Sequence, residues 1–170
     1  PLEHRSNRAQ VRCGREGRSA APAPGGAPGH CANPAAARDW MARAAGNGNV
    51  QAMHDAGGMF INAESTPEFQ ETAARWFEQG ALHGLVDSQV NIALLFKEGF
   101  GVPQSPADAY AWFTIASMTG SDPTAGERAR AVSEQLDPAA LAEAQATADG
   151  FTPRPLDPEA NGLYNNLPWD

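Results

Sequence analysis

Histidines and cysteines are the side chains of this 170-residue chain best suited to chemistry, and their spacing offers little of it. His4, His30, His54 and His83 fall in neither a His-Glu-x-x-His nor a His-x-Glu arrangement, so no zinc-hydrolase or deaminase site is read from them. His54 and His83 are expected on adjoining helices, where they could meet. Without further ligands they read as two surface or half-buried histidines rather than a metal pair. Cys13 and Cys31 have 17 residues between them and lack the two closely spaced partners a zinc site needs. A disulfide is allowed in an oxidising compartment, but nothing demands it. Gly99-Phe100-Gly101 could suggest a phosphate cradle, yet no strand precedes it and no Walker or Gly-x-Ser-x-Gly pattern occurs. The many carboxylates fit a solvated charged face. The chain therefore reads as no enzyme, with no cofactor and no metal.

Charge is unevenly distributed. Residues 1–38 hold six Arg against two Glu, a net of +4, while 39–170 hold six basic against eighteen acidic groups, a net of -12. The acidic bulk would repel nucleic acid and anionic lipid, so neither is expected as a partner. No apolar run approaches the roughly 20 residues of a membrane span. A membrane attachment would have to come from an anchor upstream of residue 1, which is Pro rather than Met. Residues 1–33, rich in Arg, Gly and Pro, carry Leu2 and Val11 as their only aliphatics larger than Ala. Too little apolar surface is available there to offset the entropy of ordering, and disorder is expected.

From Asn33 onward the sequence repeats itself. Trp40, Trp76 and Trp112 are 36 residues apart, as are Gly48, Gly84 and Gly120. Ala45 with Ala81, Phe60 with Phe96 and Pro67 with Pro103 keep the same interval. Such periods mark stacked repeats. The unit is helical, since helix formers fill it and strand alternation is absent. Capping residues precede Pro at Asn33, Thr66, Ser105, Asp122 and Asp137, and Asp87 is expected to cap a helix after Gly84. Left-handed C-caps are expected at Gly48, Gly84, Gly99, Gly120 and Gly150. These signals predict helices over 34–46, 49–62, 67–83, 87–98, 106–119, 122–136 and 138–149. Ala109, Trp112, Phe113 and Ala116 make one apolar stripe, answered by Ser88, Ile92, Ala93, Leu95 and Phe96 on the preceding helix.

Ser88, Ile92-Ala93, Phe96, Gly99-x-Gly101-Val102, Ala109, Trp112-Phe113, Ala116-Ser117 and Gly120 together resemble the Sel1-like repeat, a tetratricopeptide-like family. The resemblance implies an all-α, right-handed α-α superhelical solenoid. It divides 34–150 into a half repeat 34–48, repeats 49–84 and 85–120 and a C-terminal capping pair 121–150, followed by a Pro-rich extension 151–170. In 49–84, Ala63 and Ser65 replace the loop glycines, so that loop should differ in shape. By the family's phase, 34–48 is the second helix of a unit. The array is therefore expected to continue upstream in a parent protein, and 1–33 need not be native to it. Stretches such as Gly48-Asn49-Val50-Gln51-Ala52-Met53-His54 and Leu136-Asp137-Pro138-Ala139-Ala140-Leu141 are similar to the Sel1 region of PodJ-like localization factors of alphaproteobacteria. That similarity implies a periplasmic or cell-envelope scaffold with a role in polarity.

The function this reading favours is a non-enzymatic protein–protein interaction scaffold. Two alternatives stay open: a periplasmic regulator binding a sensor protein, and an envelope enzyme or peptidoglycan binder. In helical repeat arrays the first helix of each unit lines a concave groove. Asp55, Asp87, Asn91, Leu94, Lys97 and Glu98 are the expected exposed positions there, with Asn91 placed to hydrogen-bond an extended backbone. Phe151, Leu156, Tyr164, Leu167 and Trp169 are a heavy apolar load for a free tail. Part of it is expected to lie along the solenoid or on a partner, a free end being equally compatible.

Overall fold

The capping signals translate into helices almost where they fall. The computed structural model describes residues 33–63, 66–119 and 122–162. Among these it forms seven helices and no strand: α1 (Pro34–Gly46), α2 (Val50–Ile61), α3 (Pro67–Leu82), α4 (Val86–Glu98), α5 (Pro106–Met118), α6 (Ala125–Ser133) and α7 (Pro138–Asp149). Contacts separate residues 1–37 from 38–170. In the first unit the described residues are the start of α1, where Asn33 Oδ1 accepts from the Ala35 and Ala36 N–H groups. The disorder expected of 1–33, both cysteines, His4, His30, Gly120, Tyr164, Leu167 and Trp169 lie outside the described residues.

The second unit is an all-α repeat solenoid whose neighbouring helices pack in pairs: α2 on α3, α3 on α4, α4 on α5, α5 on α6, and α5 on α7. Thr66, Ser105 and Asp137 cap α3, α5 and α7 as expected, each accepting from a first-turn N–H. The turns after α1 and α3 are the same structure built twice. Gly48 (φ 94°) and Gly84 (φ 86°) take the left-handed conformation. Asn49 N–H then returns to Ala44 O as Leu85 N–H does to Gly80 O, satisfying carbonyls the helix leaves open.

Several expectations need correction. The N-cap of α4 is Leu85, with no side-chain cap, and Asp87 lies inside the first turn. A capping residue needs extended backbone just before the helix, and the turn closed by Gly84 puts Leu85 there. Asp122-Pro123 builds a turn rather than a helix start, and α6 begins at Ala125. In that turn Asp122 Oδ1 accepts from the Thr124 hydroxyl at 2.8 Å and N–H at 2.7 Å. These bonds hold its carboxyl below the usual 3.8, aided by Arg128. Their contribution is therefore complete above the ordinary carboxylate value and is lost as pH falls through the lowered one. Gly150 ends α7 with φ -83°, right-handed, so the stop there owes nothing to its missing Cβ. The loop after α2 differs as expected: its C-cap, Asn62, is right-handed where Gly99 after α4 is left-handed.

The core is a row of apolar clusters strung along the array. Ala45, Val50, Met53 and Ala56 form the first, with Trp76 and Leu85 leaning on it. Ala73, Phe77, Ala81, Ile92 and Leu95 form the second. Val90, Ala93, Phe113, Ala116, Ala129 and Val132 form the third, and Phe96 and Trp112 touch both the second and the third. Small residues let the helices close up: a Cβ at Gly57 would stand 2.8 Å from the Phe77 ring. Of the three tryptophans in register, Trp76 and Trp112 are half-buried. Trp40 is 69% exposed, with Arg43 over its ring as its aromatic contact. It is thus no core residue in this structure.

Two buried polar side chains among the described residues, Ser88 and Gln89, interrupt this core. Gln89 is 1% exposed; its Nε2 donates to Ala81 O at 3.2 Å, while its Oε1 has no partner. The matching residue of the preceding repeat is Met53, itself buried. Ala81 O also accepts from Gly84 N–H at 2.9 Å, so it would not be orphaned by losing Gln89. Gln89→Met should therefore keep stability or raise it by up to about 1 kcal/mol, because an unsatisfied acceptor is removed at nearly constant volume. A urea titration measures this, and a loss above about 1 kcal/mol would show that the amide is needed.

Candidate partner-binding surface

The first helices of consecutive repeats, α2 and α4, are linked side by side through His54, whose Nδ1 lies 3.2 Å from Ser88 Oγ. The ring of His54 also packs on Phe77, with centroids 5.6 Å apart. This is the one histidine–serine pairing among the described hydrogen bonds, and Ser88 is fully buried beneath Gly80. Its hydroxyl is a packing element that no substrate reaches. His83 instead closes the end of α3 through its backbone N–H, and its Nδ1 is buried without a hydrogen-bond partner. Among the described residues no group of three or more His, Cys, Asp or Glu could hold a metal ion. No helix there is long and apolar enough to cross a membrane.

The 36-residue period places polar groups in matching positions along this pair of helices: Gln51 with Asp87, and Asp55 with Asn91. Gln51 Nε2 donates to Asp55 Oδ1 at 3.1 Å along α2. On α4, Asp87, Asn91, Leu94 and Glu98 follow at i, i+4, i+7 and i+11, which is one face of a helix. Their exposure is less than the sequence suggests. Asp87 and Glu98 are exposed, whereas Asp55, Asn91, Leu94 and Lys97 are half-buried. Leu94 packs against the third core cluster, as an apolar side chain beside buried Val90 and Ala93 would. Lys97 is tied to Glu98 by an ion pair of 2.7 Å. The face thus exposes Asp87 and Glu98 at its ends, with Asn91 half-buried between them and Asp55, half-buried, at the matching position of α2.

A second surface escaped the sequence reading in its detail. Residues 151–162 run back over the array, from its third cluster toward its first. Phe151 meets Trp112 edge-on, with centroids 5.6 Å apart. Arg154 N–H donates to Leu82 O at 2.8 Å, and a Cβ on Gly84 would meet Pro153 at 3.1 Å. Further on, Asn49 Nδ2 donates to Ala160 O at 2.6 Å. Asn161 takes the Val50 N–H at 2.8 Å and donates to Gly48 O at 2.9 Å. The expectation that part of the tail lies along the solenoid holds for these residues. Its aromatic load pointed to Phe151; nothing in composition pointed to Asn161.

Helices packed pairwise along the chain with a repeating polar face, joined by a recurring glycine turn, define a helical-repeat protein of the kind that generally serves protein–protein interaction. The family model of the Sel1 repeat matches residues 26–49, 51–85 and 86–121, more than half of the chain, and the chain belongs to that family. Among solved structures the fold is similar to that of c5321, described as a protective antigen present in uropathogenic Escherichia coli strains displaying an SLR fold. The TM-score is 0.64 at 24% identity, over 79% of this chain and 28% of that one. The chain thus spans little more than a quarter of the matched protein, and the likeness bears on the fold. No curated protein matches the chain.

Proposed function

We propose that this chain is a non-enzymatic scaffold that captures a protein partner on the face of its first helices, within the bacterial cell envelope. The carrying observation is the matched polar row. Asp55 and Asn91 occupy the same repeat position on adjoining helices, and Asp87 lies one turn before Asn91. Such a row offers an extended partner segment an amide able both to donate and to accept, flanked by two carboxylates. The acidic balance of residues 39–170 favours a partner segment carrying Lys or Arg. Placement in the envelope, and a part in localization or polarity, rest on the resemblance of sequence stretches such as 48–54 and 136–141 to PodJ-like factors.

Asn91→Ala tests the row. Asn91 is half-buried and outside the apolar clusters, so its truncation should leave stability within about 0.5 kcal/mol. Loss of one or two interface hydrogen bonds should weaken capture of the partner about tenfold. The measurement is affinity capture from envelope fractions with wild-type and variant bait, beside a thermal melt of each. Sedimentation with purified peptidoglycan runs in parallel. Parallel loss of fold and capture would remove the row from the interface, and sedimentation with the glycan in the absence of protein capture would replace the partner.

A further inference from the structure

The segment 151–162 sits on the array as an extended ligand sits on a receptor. None of the buried members of the three apolar clusters comes from it. Residues 152–159 are all exposed. What holds it is a short series of directed contacts: the Phe151 ring on Trp112, the Arg154 N–H on Leu82 O, and a plug over the Gly48 turn. The plug is prefolded. Asp157 Oδ1 accepts from the Glu159 and Ala160 N–H groups, and Asn161 N–H returns to Asp157 O, so Asp-Pro-x-x-Asn closes on itself and presents the Asn161 amide outward. That amide reads two backbone groups of the turn at once, Gly48 O and Val50 N–H. The latter is one of the donors that the start of α2 leaves unpaired. Pro153, Pro155 and Pro158 restrict the free segment and so reduce what it loses on docking.

Segments that contribute no buried member to an apolar cluster open at a small fraction of the free energy of unfolding. We propose that the track beneath this strap, formed by the Gly48–Val50 turn, the Leu82–Gly84 turn and Trp112, docks an extended, proline-spaced segment of a partner protein that ends in an Asp-Pro-x-x-Asn plug, and that residues 151–162 are its built-in competitor. The chemistry of the occupant is that of the segment already seated there. The proposal rests on the scaffold reading and adds a second contact surface and its control. A strap closed about 99% of the time would weaken the apparent affinity of such a partner about 100-fold, and whatever opens the strap restores it.

The test uses the full chain and a fluorescein-labelled synthetic peptide of sequence 150–162. Asn161→Ala removes the plug, and Arg154→Pro independently removes the N–H donor to Leu82 O. Arg154 is exposed and Asn161 half-buried, and both lie outside the apolar clusters of the repeats. Each variant should bind the peptide about tenfold tighter than the wild-type chain does. A peptide with Ala in place of its plug Asn should bind the Asn161→Ala chain about tenfold more weakly than the native peptide. Hydrogen exchange at the Val50 amide reports strap opening in the same samples. No gain in binding overturns the proposal in either case: unchanged exchange shows that these contacts do not hold the strap, and raised exchange shows that a bared track takes no peptide. Concentration-dependent dimerisation of the variants would assign the track to the strap of a second copy instead. If the peptide fails while Asn91→Ala still weakens partner capture, the scaffold reading stands and the strap proposal falls.

Discussion

Gly101→Ala should destabilise the array by about 3 kcal/mol or more, far beyond what a single added methyl costs on a surface loop. Two effects add at this position. Gly101 has φ 68°, a conformation that costs a residue bearing Cβ about 1 kcal/mol. The added Cβ would also overlap the carbonyl of Gln70 and the N of Glu71, both backbone atoms of α3. A side chain could rotate away, but helix backbone cannot, because Ala73 and Ala74 one turn further along, and Phe77 two turns along, are buried against α4. The loop is fixed from its other end as well: Ser105 N–H donates to Phe96 O at 2.9 Å and Gln104 Nε2 to Lys97 O at 2.9 Å. Gly99→Ala is the internal control. It shares the left-handed backbone, with φ 75°, but its nearest obstacle is Gln104 Cβ at 3.2 Å, a contact that a loop shift of a few tenths of an ångström relieves. About 1 kcal/mol is expected there. Urea titrations of both variants decide the matter, and equal losses would mean that the close approach to α3 contributes nothing.

That contrast shows where the sequence was legible. A Gly-x-Gly-Val loop in a 36-residue period marks a tight turn between two helices, and it is found there. The period also located the helix stripes, since Ala109, Phe113 and Ala116 all end up fully buried. Capping residues before Pro were readable at Asn33, Thr66, Ser105 and Asp137, because there one residue supplies both the extended backbone and the acceptor. Asp87 misled because its side chain suits a cap while its backbone is already helical. The repeat itself held the answer: Leu85 matches Asn49, the cap of α2, at a distance of 36. Leu94 misled in the opposite direction, since its place on the polar face of α4 hides the core beneath it. The strap was half legible. Its aromatic residue was compatible with a docked segment as with a free end, and Asn161 meets Gly48 and Val50 across more than a hundred residues, a range at which a hydrogen bond leaves no periodicity to read.

The second large effect belongs to the joint that carries the C-terminal helix pair. Phe113 is fully buried in the third cluster, against residues of α4 and α6. Truncation removes its transfer free energy and leaves a cavity that the alanines around it are too small to fill, so Phe113→Ala should cost about 3–5 kcal/mol. The loss should not be spread evenly. Neighbour contacts hold a repeat array together, and α6 and α7 are both packed on α5. Tyr110 Oη also donates to Gln145 Oε1 at 2.5 Å, tying α5 to α7. With the α4–α5–α6 joint weakened, amides of α6 and α7 should lose hydrogen-exchange protection before those of α2 and α3, and the urea transition should broaden as two-state behaviour fails. Phe77, the matching residue one repeat earlier, sits between Gly57 and His54 and is 3% exposed. Phe77→Ala should cost a similar amount, with early loss of protection moved to α2. Because the strap starts at the end of α7 and is anchored beside α2, the two variants should bare the track from opposite ends. Uniform loss of protection in both would instead make the array one cooperative block.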